Sequence, residues 1–103
     1  MRDQIILFFD TEIAQSVEAV GGWEAVKAGK AGLSAAVTVD DALRVGLYDI
    51  HTVEVLTDVL EDADAIVSFN GSGFDLPLIS SLVGRHIQPR KHLDLCEEIR
   101  TSV

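Results

Sequence analysis

The feature that most constrains this chain is the apolar run "IILFF" at residues 5–9, which leads directly into "DTE". The run is continuous, partly β-branched and partly aromatic, and this composition is typical of a strand buried on both faces. We therefore expect residues 5–9 to form a central strand of a sheet, with polar side chains at its carboxyl end.

The first candidate site is the pair of carboxylates at the end of this strand. Residues two apart on a strand point to the same face, so Asp10 and Glu12 converge while Thr11 points away. Two carboxylates held this close repel each other unless a proton or a cation lies between them. A hard divalent cation such as Mg²⁺ or Mn²⁺ is the ligand that suits such a pair. The D-x-E pattern alone also fits a strand that simply becomes polar at its end.

The rest of the chain alternates strand and helix patterns. Residues 13–32 predict a loop with a short helical turn at residues 23–28, and "LSAAVTV" and "ALRVGLY" predict an antiparallel hairpin. A helical stripe follows Thr52, the expected N-cap, and consists of Val53, Leu56, Val59, Leu60 and Ala63. Then come the strand "AIVSF", the helix "GFDLPLISSLVG" and a last strand in "KHLDLCEEI" that passes into helix-forming residues. The order strand, hairpin, helix, strand, helix, strand predicts a mixed α/β sheet in one domain spanning residues 1–103.

Composition narrows the class of protein. The net charge of −9 argues against a general nucleic-acid binder, unless bound cations supply the missing positive charge. No apolar run approaches the roughly 20 residues that span a bilayer, so we expect no membrane partner. The run at residues 5–9 is too short for a signal peptide and lies beside Asp3, and the single Cys96 cannot form an internal disulfide. We expect a cytoplasmic protein.

A second group of polar residues lies in "SFNGSGFDLPLI". Asn70 ends a predicted buried strand, two glycines allow a tight backbone path, and Asp75 falls in the first turn of the next helix. An Asp in this position also has a purely structural role, because carboxylates stabilise helix N-termini. The co-occurrence of Asn70, Phe74, Asp75 and Pro77 after a strand of the same sheet favours a functional site.

Together the two patterns resemble a known superfamily. The D-x-E after the first strand and the N-x-x-x-F-D-x-P at a strand-to-helix junction resemble the first two motifs of the DnaQ-like, or DEDD, 3′-to-5′ exonucleases, which have a ribonuclease H-like fold. The stretches "VGGW", "GLSAAVTVDD" and "IVSFNGSGFDLPLI" look most like bacterial ribonuclease H-like domains related to the proofreading domains of family B polymerases.

The resemblance implies a site and a reaction. Asp10, Glu12 and Asp75 match the metal-binding, catalytic carboxylates of the family, which hold two Mg²⁺ or Mn²⁺ ions for phosphodiester hydrolysis. Thr11, Asn70 and Phe74 match positions that contact the substrate, the 3′ end of single-stranded DNA or RNA. The same resemblance gives Asp94 a supporting role near the metal site.

The chain departs from the family in one respect. The third motif, Y-x-x-x-D or H-x-x-x-D, supplies a fourth carboxylate and a general base, and no Tyr or His after Asp75 is followed four residues later by Asp. Either this is part of a longer domain or the short protein has lost catalysis, and both predict weak or no nuclease activity. A C-terminally incomplete fold would also leave one sheet face without its helix, and this apolar face would favour a homodimer.

Two other functions remain open from the sequence. One is a non-catalytic nucleic-acid-binding or scaffold module, which would contact phosphate through residues 85–91, because half of the eight Lys and Arg residues lie at positions 85–100. The other is a small α/β ligand-binding or oligomerisation domain without a nucleic-acid role, which would suit the acidic charge.

Overall fold

A computed structural model describes residues 4–102 of the chain. A π-helical turn, Gly71–Asp75, leads into the fourth helix. The strands are β1 (Ile6–Glu12), β2 (Ala35–Asp40), β3 (Val45–Tyr48), β4 (Ala65–Ser68) and β5 (His92–Asp94), and the helices are α1 (Val17–Val20), α2 (Trp23–Lys27), α3 (Val53–Asp62), α4 (Leu76–Val83) and α5 (Leu95–Ser102).

The five strands form one mixed sheet in the order β3-β2-β1-β4-β5. β2 pairs antiparallel with both β1 and β3, whereas β1, β4 and β5 are parallel. This topology confirms the predicted α/β sheet with its hairpin and with β1 at the centre. Because β1, β4 and β5 run in the same direction, their carboxyl ends meet at one edge, which is where open α/β sheets bind ligands.

Helices α3 and α4 pack on one face of the sheet and enclose the core. Leu7, Phe9 and Ile66 of the sheet are buried against apolar side chains that include Leu56, Leu60, Leu78 and Ile79. The predicted stripe on α3 is therefore confirmed. The predicted cap is only partly right, because Thr52 occupies the N-cap position but its hydroxyl accepts a hydrogen bond from the Asp49 N–H instead of from a helix N–H.

The opposite face of the sheet is largely open, so the prediction that β1 is buried on both faces is wrong. Phe8 is 49% exposed, and its neighbours on β2 and β4 are Val39 and Val67. On β3, Val45 and Leu47 are more exposed still. An apolar run can be recognised from sequence, but whether a second layer covers it depends on packing. The homodimer through this face stays a prediction.

The segment between β1 and β2 is more regular than expected. The predicted turn at residues 23–28 corresponds to α2, and the short helix α1 precedes it. The later elements follow the predictions closely, with Gly84 ending α4 in a left-handed conformation. Among the described helices, none has the length and apolarity needed to cross a bilayer.

Candidate functional site

The end of β1 presents different side chains to the two faces of the sheet. Asp10 and Glu12 lie on the open face and are exposed, whereas Thr11 is buried on the helix-covered side. The Thr11 hydroxyl donates a hydrogen bond to the carboxylate of Asp75, 64 positions further along the chain. The strand end and the beginning of α4, which carry the two predicted motifs, are therefore in direct contact.

Asp75 is the most buried of the predicted site residues, with 2% of its surface exposed. Burial raises the pKa of this carboxyl to about 6, and the hydrogen bond from Thr11 opposes the rise. The negative charges of Asp10, Asp94 and Glu12 raise the pKa further. Asp10 and Glu12 are thus within electrostatic range of Asp75, whose surroundings carry an excess of negative charge.

The turn between β4 and α4 has an unusual backbone. Asn70 adopts the left-handed conformation with φ of 64°, which Asn tolerates better than most residues, and its carbonyl accepts the Phe74 N–H at 3.0 Å. The Gly71 N–H donates to Ser68 Oγ at 3.1 Å. A Cβ at Gly71 would lie 2.7 Å from Ser68 Cβ, so only glycine fits this approach. The turn places Asn70, Phe74 and Asp75 at one end of the sheet.

Asp94, at the end of β5, holds this turn from the other side. Its carboxylate accepts backbone N–H groups of Asn70 at 2.8 Å, Ser72 at 3.1 Å and Cys96 at 3.0 Å. Burial raises the pKa of Asp94, but these bonds and one from the Ser72 hydroxyl outweigh it and lower the pKa to about 2. Asp94 is therefore ionised and fully used as an acceptor, which fits a supporting role.

An open cleft of about 580 Å³ lies at this edge of the sheet. It is lined by four predicted site residues, Asp10, Asn70, Phe74 and Asp75, but not by Thr11 or Glu12. Five further residues line it: Trp23, Lys27, Phe69, Gly73 and Arg100. The cleft thus combines acidic side chains with aromatic walls and two cationic side chains.

Sequence reasoning missed four residues that line the cleft: Trp23, Lys27, Phe69 and Arg100. Trp23 and Phe74 contact each other edge to face, with ring centroids 5.7 Å apart and planes at 87°. A signal for Trp23 was present, because it is the only tryptophan and follows two glycines. Phe69 directly precedes Asn70 at the end of a predicted strand, whereas Lys27 and Arg100 carry no local signal, since only the tertiary fold brings them to the cleft.

The donor chemistry of the site fits a hard divalent cation, since Asp10, Glu12 and Asp75 offer carboxylate oxygens. In the part of the chain that the structure describes, however, no three His, Cys, Asp or Glu side chains form a group that could hold a metal ion. His92 has a different role, because its Nε2 is hydrogen-bonded to Ser68 Oγ at 2.7 Å. Among the described residues, the three predicted carboxylates therefore do not stand as a preformed metal cluster.

The basic segment at residues 85–91 lies away from the cleft, beside the end of α3. Arg85 forms two hydrogen bonds with Glu61, at 2.9 and 3.1 Å. Arg90 lies 3.6 Å from Asp62 and 3.9 Å from Asp64. Because carboxylates neutralise both arginines, phosphate contact here would have to displace existing ion pairs.

Comparison with known proteins identifies the relatives of this fold. A family model of the RNase H superfamily matches residues 7–103. A family B DNA polymerase from the hyperthermophilic archaeon Pyrobaculum calidifontis is similar in structure, with a TM-score of 0.67 and 17% identity. The similarity covers 96% of this chain and 16% of the polymerase chain. No curated protein gives a significant match.

Proposed function

Because the chain belongs to the RNase H superfamily, we propose that it is a DnaQ-like, divalent-metal-dependent nuclease domain that acts on 3′ ends of single-stranded DNA or RNA. The D-x-E and N-x-x-x-F-D-x-P motifs support this assignment, and so does the similarity to a family B DNA polymerase. That similarity is limited to 16% of the polymerase chain, about the extent of one domain.

One observation carries the proposal: Asp10 and Asp75 line the same cleft as Asn70 and Phe74. Asp10 and Asp75 are 65 positions apart in the sequence, and the two motifs converge because β1 and β4 are parallel neighbours. Acidic side chains beside an aromatic wall suit a nucleotide whose phosphate is bound through a cation and whose base packs on a ring.

Each residue has a role in the proposed reaction. Asp10, Glu12 and Asp75 would hold the divalent ions, Mg²⁺ or Mn²⁺, which when bound activate water and stabilise the leaving oxygen. The Thr11 hydroxyl orients the Asp75 carboxylate by donating to it. Asp94 holds the turn that presents Asn70 to the cleft. Phe74 supplies an apolar wall for the terminal nucleotide.

The lack of a third motif sets the expected level of activity. Without the fourth carboxylate and the Tyr or His that orients water, this chain alone is expected to hydrolyse nucleic acid weakly or not at all. The proposal is therefore tested by Mg²⁺ or Mn²⁺ binding, which Asp10→Ala should weaken, and by metal-dependent 3′-end degradation of 5′-labelled single-stranded DNA and RNA at high protein concentration. Asp10→Ala is the control, and degradation that survives this change comes from another site or from a contaminant.

A second function, non-catalytic binding of nucleic acid, is favoured by a different observation. Among the described residues, no three potential ligands are grouped closely enough to hold an ion. Such a module would bind oligonucleotides in the presence of a chelator, with a steep salt dependence. Because Arg85 and Arg90 are paired with carboxylates, the cleft itself is the better candidate for the contact.

We also propose a cytoplasmic location, because the single Cys96 cannot form an internal disulfide, which suits a reducing compartment. Cell fractionation with an antibody against the chain tests this location.

A further inference from the structure

Helix α2 is fixed to the body of the protein along one side. Val26 is completely buried, and the Ser81 hydroxyl of α4 donates to the Lys27 carbonyl at 2.6 Å. Gly29, just beyond α2, approaches Leu82 so closely that an added Cβ would lie 3.3 Å from the Leu82 side chain. These contacts fix the orientation of α2, and with it the side of the helix that faces the cleft.

The side chain that α2 presents to the cleft is Trp23. It is 58% exposed although it is the largest apolar side chain in the protein, and the only ring contact the structure gives it is the edge-to-face contact with Phe74. Phe69, across the same cleft, is 63% exposed. Two large, exposed aromatic side chains in one cleft are costly in water and are typical of a surface that binds an aromatic ligand.

A positive charge accompanies Trp23 on the same helix. Lys27 is four residues later, so both side chains lie on one face of α2 and both line the cleft. Among the described residues, Lys27 forms an ion pair with Glu24, at 3.6 Å, and the Glu24 side chain is 93% exposed. Exposed pairs of this kind contribute little to stability, so the ammonium group can turn to another anion at small cost.

We propose that Trp23 and Lys27 form a nucleotide subsite, in which the indole stacks on a base of a single strand and the ammonium contacts a neighbouring phosphate. Stacking does not depend on base identity, because every base has an aromatic face. The ligand class rests on the proposed function, whereas the subsite requires neither metal binding nor hydrolysis. It also lies outside both carboxylate motifs, on a helix that neither motif includes.

Tryptophan fluorescence tests the subsite directly, because Trp23 is the only tryptophan in the chain. The full chain is titrated at low salt with oligo(dT) of about 8 nucleotides, first in Mg²⁺ and then in EDTA. An abasic strand of the same length serves as the control with phosphates but no bases. We expect the oligo(dT) to quench the emission and the abasic strand to leave it nearly unchanged. Equal quenching by both strands, or quenching by neither in both buffers, overturns the proposal.

Affinity measurements on variants provide a second readout, by polarisation of labelled oligo(dT). Trp23→Ala is expected to weaken binding roughly 5- to 100-fold, and Trp23→Phe to restore most of it. Lys27→Gln should lower the salt slope by about one contact. Val55→Ala removes an exposed apolar side chain on α3 and should bind like the native chain. Native affinity in Trp23→Ala overturns the subsite.

The same experiments separate the subsite from the proposed reaction. In EDTA the carboxylate site holds no cation, so quenching by oligo(dT) in that buffer reports on Trp23 and Lys27 alone. Quenching by oligo(dT) in a chain that binds no Mn²⁺ would support the subsite and contradict the proposed metal site. Hydrolysis that depends on Asp10 but not on Trp23 would support the nuclease activity and contradict the subsite.

Discussion

Replacing Asp75 with Asn should make the metal-free protein more stable, although it removes a residue of the candidate site. The carboxyl of Asp75 is 2% exposed, and burial raises its pKa from 3.8 to about 6. At neutral pH the folded protein must therefore hold a charge in a poorly solvated place among other carboxylates. An Asn side chain keeps an oxygen that can accept the Thr11 hydrogen bond but carries no charge.

The size and the pH window of the effect follow from the raised pKa. An acid with a higher pKa in the folded state binds protons more tightly there, so its favourable contribution is complete below pH 4 and is lost as the pH rises through 6. The difference between 3.8 and about 6 corresponds to about 3 kcal/mol. The free energy of unfolding of Asp75→Asn should therefore exceed that of the native chain by about 3 kcal/mol at pH 8 and by almost nothing at pH 4.

Urea denaturation in EDTA at pH 4 and pH 8 measures this difference, and thermal melting provides a second estimate. For a domain of this size, about 3 kcal/mol corresponds to a rise in Tm of roughly 10 to 20 °C. Asp94→Asn is the matched control, because Asp94 is also buried but has a lowered pKa, and this change should destabilise the protein at pH 8. The claim that the charge of Asp75 destabilises the folded protein would be refuted by either of two results. Asp75→Asn could be less stable than the native chain at pH 8, or its stability could change by the same amount at both pH values.

Three further changes test other parts of the structure. Because the pKa of Asp94 is lowered, this carboxylate contributes about 1 to 2 kcal/mol to the free energy of unfolding, after a reduction for solvent screening. The contribution is present above pH 4 and is lost as the pH falls towards 2. Urea denaturation of Asp94→Ala should show this loss, whereas Asp58→Ala, whose side chain is 79% exposed, should be as stable as the native chain. Gly71→Ala forces a Cβ against Ser68 and should lower the free energy of unfolding by roughly 1 to 3 kcal/mol in the same assay. Unchanged stability would mean that the turn can move to accommodate the Cβ. The open sheet face should cause concentration-dependent dimerisation in analytical ultracentrifugation, which Phe8→Ser weakens; a monomer at all concentrations would contradict this.

Much of the fold was predictable because the local patterns agree with the tertiary structure. The stripe on α3 and the stop at Gly84 reflect helical periodicity and glycine conformation, which are local properties. The burial of β1 was not predictable in the same way, because Phe8 is as apolar as Phe9 and only packing distinguishes them. On β2 the buried side includes Thr38 and Asp40, while the more apolar Val37 and Val39 lie on the open face.

The candidate site was predictable where it lies at strand ends. Asp10 and Asp75 meet because parallel strands bring their carboxyl ends to one edge, and the motifs mark those ends. Trp23 and Lys27 reach the cleft only because α2 packs against α4, where the Ser81 hydroxyl donates to the Lys27 carbonyl, a contact between distant segments. The lowered pKa of Asp94 likewise depends on three backbone N–H groups that no spacing in the sequence reveals.

The central claim is that Asp10, Glu12 and Asp75 together bind a divalent metal, and calorimetric titration of the metal-free chain with Mn²⁺ tests it most directly. The native protein should bind Mn²⁺, and both Asp10→Asn and Asp75→Asn should lose most of that binding while remaining folded by circular dichroism. Glu24→Gln, which removes an exposed carboxylate on α2, should bind as the native chain does. Equal Mn²⁺ binding by the native chain and the two site variants would contradict the claim.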